Sequence, residues 1–131
     1  MEAEAVTSVL VIDDREDVAT TLAALCEALG MPASVPRSGE NVRAMLERSA
    51  PSGVIVDIMM PEEDGYEALR EIANYNPGMP VMLITGHGET WLRMGATLGR
   101  AHGLEYIETA IKPIRAEAIR EFLTVVRQRA K

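Results

Sequence analysis

Five times along the chain a short apolar run is followed by a stretch whose apolar residues recur every three or four positions. Residues 8–12, 54–56 and 81–84 are rich in Val, Leu and Ile and too short for helices, which predicts strands buried on both faces. Residues 33–35 form a weak second strand, and 106–111 a fifth. Helices are predicted over 16–29, 40–48, 66–75, 89–102 and 115–129. In the first of these Val18, Leu22, Leu25, Cys26 and Leu29 fall on one face, and Gly30 and Pro32 stop the helix. Strict alternation of strand and helix demands right-handed crossovers. The fold class is therefore α/β: three layers, doubly wound, with a five-stranded parallel sheet between two layers of five helices in all.

The chain has 131 residues, enough for one core and little more, so residues 1–131 are expected to form a single domain. Hydrophobic residues at 47% and charged residues at 25% exclude a disordered chain. A formal net charge of −7 sets it against phosphate backbones and anionic membranes, so no direct contact with nucleic acid or membrane is expected. The single cysteine, Cys26, has no intramolecular partner, and the opening residues lack the basic and long apolar regions of a signal peptide. No apolar run approaches the length of a membrane span. Together these predict a soluble protein in a reducing, cytoplasmic setting.

In an open α/β sheet ligands gather beyond the carboxyl ends of the strands. The first strand ends in Asp13 and Asp14, the third in Asp57, the fourth in Thr85 and the fifth in Lys112 and Pro113. Singly, each has a structural explanation as a turn, cap, strand or solvated residue. Jointly, three carboxylates in one cleft repel one another unless a cation neutralises them, and a hard divalent ion such as Mg²⁺ suits oxygen donors. An Asp carboxylate can attack a phosphoryl group as a nucleophile, with a lysine and a hydroxyl holding its oxygens. Asp57 is the candidate nucleophile.

The stretches Val9 to Asp14, Asp57 to Gly65, Leu83 to Gly86, and Lys112-Pro113 resemble the receiver domain of bacterial two-component response regulators, a CheY-like family, over nearly the whole chain. The resemblance implies a flavodoxin-like strand order of 2-1-3-4-5. It implies that Asp57 accepts a phosphoryl group from a sensor histidine kinase or a histidine phosphotransfer protein. Asp14 and Asp57 then ligate Mg²⁺ with the backbone carbonyl of Met59, Asp13 acts through a bound water, and Thr85 and Lys112 hold the phosphoryl oxygens. The 112–113 peptide bond is expected to be cis. The output is conformational rather than enzymatic, passed to a downstream effector protein or output domain, with a possible homodimer through the face of the fourth helix, fifth strand and fifth helix.

Two features depart from the family pattern. Thr109 stands three positions before the lysine, where the family carries an aromatic switch residue. The segment between Thr85 and Lys112 is also longer than usual, which predicts an extended or re-angled fourth helix and is similar to receivers attached to cyclic-dinucleotide phosphodiesterase outputs. Two rival readings are a receiver-like interaction module that works without phosphate, kept open by Thr109, and a Mg²⁺-dependent aspartyl phosphohydrolase. The latter expects Asp-x-Asp after the first strand, whereas Arg15 follows Asp13 at that spacing. His87 is placed beside the cleft, Cys26 in the core, and Trp91 at the start of the fourth helix, either exposed or partly buried.

Overall fold

The computed structural model describes residues 6–58, 65–86 and 88–130. Its strands are β1 (Val9–Ile12), β2 (Ala33–Ser34), β3 (Gly53–Asp57), β4 (Pro80–Thr85) and β5 (Tyr106–Ile111). The helices are α1 (Glu16–Ala28), α2 (Val42–Ser49), α3 (Gly65–Tyr75), α4 (Glu89–Ala101) and α5 (Ala116–Arg129). The strands form one parallel sheet in the order β2-β1-β3-β4-β5, as expected.

Successive side chains of a strand point to opposite faces, so each buried strand feeds two cores. Leu10, Ile12, Val54, Val56, Val81 and Leu83 pack with α2, α3 and α4 through Leu46, Leu69, Ile72 and Leu92. Val9, Val11, Ile55, Met82 and Ile84 pack with α1 and α5 through Leu22, Cys26, Phe122 and Leu123. Every residue of β1, β3 and β4 is buried, which is why these strands carry no polar alternation. Each such Leu or Ile contributes about 2 kcal/mol by leaving water.

The second helix starts later than its apolar pattern suggests. Asn41 caps it, its side-chain oxygen accepting from the Ala44 N–H at 2.8 Å. Glu40 is diverted from the helix to accept two hydrogen bonds from the Arg48 guanidinium, at 2.6 and 2.9 Å. Arg48 also donates to the Val35 carbonyl at 2.9 Å, so this pair ties the loop after β2 to the end of α2.

The fourth helix lies close against the sheet. Gly95 and Gly99 are buried on its inner side, and an added Cβ would stand 3.0 Å from Leu83 Cδ1 and 2.6 Å from Ile107 Cδ1 respectively. The segment between Thr85 and Lys112 runs through this 13-residue helix and the turn at Gly103, whose φ of 103° suits glycine. Among the described residues no helix is long and apolar enough to cross a membrane.

Candidate functional site

The carboxyl ends of β1, β3, β4 and β5 meet at one edge of the sheet. Asp13 follows β1, Asp57 ends β3 and Thr85 ends β4; all three are buried, in a protein whose other buried residues are almost all apolar. Burying a carboxylate is costly unless it is paired. The pairing comes from Lys112, just after β5, whose Nζ donates to Asp13 Oδ2 at 2.8 Å and to Asp57 Oδ2 at 2.7 Å. The other Asp13 oxygen accepts from the Arg15 N–H at 3.0 Å, so Asp13 bends the chain into α1 rather than capping it.

Backbone bonds fix the remaining strand ends. The Lys112 N–H donates to the Thr85 carbonyl at 2.8 Å and the Ile58 N–H to the Ile84 carbonyl at 3.1 Å. Thr85 is wholly buried and stands in register with Ile111. The Lys112-Pro113 peptide bond is cis, as the family resemblance implied.

Each of Asp13, Asp14 and Asp57 offers a carboxylate oxygen, and these oxygens lie within 4.8 Å of one another. Desolvation, then the charges of Asp13 and Asp57, raise the pKa of Asp14, the exposed member. Burial pulls the Lys112 ammonium down, but its hydrogen bonds to Asp13 and Asp57 outweigh that and leave its pKa raised. A cleft with three hard oxygen donors, one lysine and residual mutual repulsion fits a small divalent cation such as Mg²⁺.

The structure therefore brings Asp13, Asp14, Asp57, Thr85 and Lys112 to one edge of the sheet. Met59 and His87 lie outside the described residues. Cys26 is fully buried in the α1/α5 core, and burial pushes its thiol up to about 11. Trp91 is exposed on α4. Thr109 is exposed on β5 and stands opposite Leu83, with no aromatic ring at that position.

One feature escaped the sequence reading. An apolar groove of about 450 Å³ runs beside Lys112 between α1 and the segment entering α5, lined by Val18, Leu22, Leu25, Pro113 and Ile114. The α1 stripe was visible in the sequence, but it reads as wholly core. Only the packing shows that one flank remains open.

The sequence matches the family described as "Response regulator receiver domain" over residues 9–124. It is 31% identical over 116 residues to the C4-dicarboxylate transport transcriptional regulatory protein DctD of Pseudomonas aeruginosa; the match covers 88% of this chain and 24% of that protein. A receiver domain from Clostridium thermocellum superposes with a TM-score of 0.75 at 26% identity, covering 95% of this chain and 96% of that one. A CheY-like receiver domain from Methanospirillum hungatei superposes equally well, with a TM-score of 0.75 over 95% of this chain and 97% of its own; at 16% identity it shows the fold alone.

Proposed function

The chain belongs to the response regulator receiver domain family, and from that premise we propose that Asp57 is its phosphoryl acceptor, with Asp13, Asp14 and Asp57 holding Mg²⁺ and with Thr85 and Lys112 holding the phosphoryl oxygens. The observation that supports this most strongly is the bridging ammonium: Lys112 Nζ lies within 2.8 Å of carboxylates from two different strand ends. A lysine so placed offsets part of the cleft's negative charge at rest and has a charge to offer an incoming phosphoryl group.

In this reading a carboxylate oxygen of Asp57 attacks the phosphorus of a phosphohistidine. The P–N bond breaks, the imidazole keeps the electron pair, and an acyl phosphate remains on Asp57. Mg²⁺, when bound, offsets the negative charge gathered there. Lys112 takes up hydrogen bonds to the phosphoryl oxygens, and the buried Thr85 hydroxyl stands at the end of β4 to report the change to α4 and β5. In the proposed ligand set Asp14, Asp57 and the backbone carbonyl of Met59 contact the ion directly and Asp13 acts through a bound water.

We take residues 1–131 as one receiver domain acting in the cytoplasm, with a sensor histidine kinase or histidine phosphotransfer protein as donor. The groove along α1, apolar and adjoining Lys112, is suited to the donor's docking. A downstream effector or output domain receives the signal, and self-association through α4, β5 and α5 is one form it can take. Turnover beyond its own phosphoryl transfer and dephosphorylation is not part of the proposal.

Beryllofluoride, a phosphoryl mimic, tests the assignment. With Mg²⁺ present it should shift amide resonances across β4, α4 and β5 in the wild type and leave Asp57→Asn and Lys112→Ala unchanged. An equal response in Asp57→Asn would remove Asp57 from the role.

A further inference from the structure

We propose that Gly65 is a positioning residue for the acceptor site, holding Ile58 and through it the neighbouring Asp57 in register with Lys112. This rests on the reading that Asp13, Asp14 and Asp57 bind Mg²⁺.

Gly65 is the first residue of α3 and is buried. A Cβ built on it would stand 2.3 Å from Ile58 Cα, 2.5 Å from the Ile58 carbonyl oxygen and 2.7 Å from the Ile58 carbonyl carbon. These are backbone atoms, so no rotamer change relieves the overlap; either α3 retreats or the chain at Ile58 moves. α3 has little room to retreat, because Leu69 and Ile72 are fully buried against the sheet. Ile58 is held by its N–H bond to the Ile84 carbonyl, at 3.1 Å, and by its own side chain, buried in the core beside α4. The overlap is with the backbone of Ile58 itself, one peptide from Asp57, so the shift that Ile58 takes up is passed to a carboxylate that stands 2.7 Å from Lys112 and within reach of Asp13 and Asp14.

Gly53 supplies the comparison. It starts the same strand, β3, at the end away from Asp57, and a Cβ there would stand 2.5 Å from Val126 Cγ2. Gly53→Ala thus strains the core without touching the site, whereas Gly65→Ala strains the site's own backbone.

Wild type, Gly65→Ala and Gly53→Ala are compared by two measurements. The first is the Mg²⁺ dissociation constant, read from isothermal titration or, for a variant of low Tm, from the Mg²⁺-induced rise in Tm in scans started cold. The second is the hydrogen-exchange rate of the Ile58 amide without metal, relative to that of Val11 in the core. Gly65→Ala is expected to bind Mg²⁺ about tenfold or more weakly, the scale set by supporting residues around a metal site, and to lose selective protection at Ile58. Gly53→Ala should lower Tm and keep both properties. Wild-type Mg²⁺ affinity in Gly65→Ala, or equal losses in both variants, overturns the proposal. If the wild type itself fails to bind Mg²⁺ the metal reading fails instead, and Ile58 exchange alone decides the role of Gly65.

Discussion

Lys112 Nζ stands 2.7 Å from Asp57 Oδ2, and the same nitrogen reaches Asp13 at 2.8 Å. One ammonium thus closes a cleft in which both carboxylate side chains are almost fully buried. Lys112→Met removes the one ammonium that these two carboxylates share. In the presence of a chelator it should cost on the order of 3 kcal/mol of stability. Mg²⁺ should restore more stability to the variant than it adds to the wild type. Denaturant unfolding with and without Mg²⁺ checks both; an equal Mg²⁺ effect in the two proteins contradicts the charge account.

Glu108 sits on the edge strand β5 with one carboxylate oxygen buried and unpartnered among the described residues. Burial raises its pKa above the ordinary 4.5, opposed by the hydrogen bond with Tyr106 and assisted by the charge of Glu121. The folded state therefore holds its proton more tightly than the unfolded one. The stability this contributes is complete below pH 4.5 and is lost as pH rises through the raised folded value. Glu108→Gln should be more stable than wild type at pH 7, with a higher Tm. The difference should close in acid, which thermal scans across pH would show.

The Glu40–Arg48 pair works in the opposite sense. The hydrogen-bonded Arg48 guanidinium holds the Glu40 carboxyl at about 2, well below its ordinary 4.5. Its contribution is present above pH 4.5 and lost as pH falls from there toward 2. Glu40→Gln should therefore be less stable at pH 7, and its stability should vary less with pH through that acid window. Acid titrations of wild type and variant followed by circular dichroism test this.

Cys26 is fully buried and its thiol is pushed up to about 11. Thiolate is the reactive form, so at pH 8 a disulfide reagent should modify the native protein only as fast as the core opens. Rapid labelling of the folded protein would place Cys26 outside the core.

How much of this was legible in the sequence varied with what each residue type reports. β1, β3 and β4 stood out because strands buried on both faces must be continuously apolar, and the polar residues that break those runs were the site: Asp13, Asp57 and Thr85. β2 was faint because it has only two residues, both half-exposed. The start of α2 was misplaced because Glu40 reads as a good first-turn residue, and its pairing with Arg48 depends on the path of the loop between them. Gly65 was legible as the last residue of the stretch Asp57 to Gly65 that carries the family resemblance, but only the position of Ile58 shows that a side chain has no room there. Lys112 was expected at the cleft, but its simultaneous contact with two carboxylates from distant parts of the chain is a property of the closed sheet.

The most direct test of the central claim is intact mass after incubation with a small acyl phosphate, with and without Mg²⁺, for the wild type and Asp57→Asn. A single phosphoryl adduct that forms only on the wild type and only with Mg²⁺ is the predicted result. An adduct of equal yield on Asp57→Asn, or a wild type that stays unmodified in Mg²⁺ at neutral pH when the reaction is run cold and quenched in acid before weighing, would contradict it.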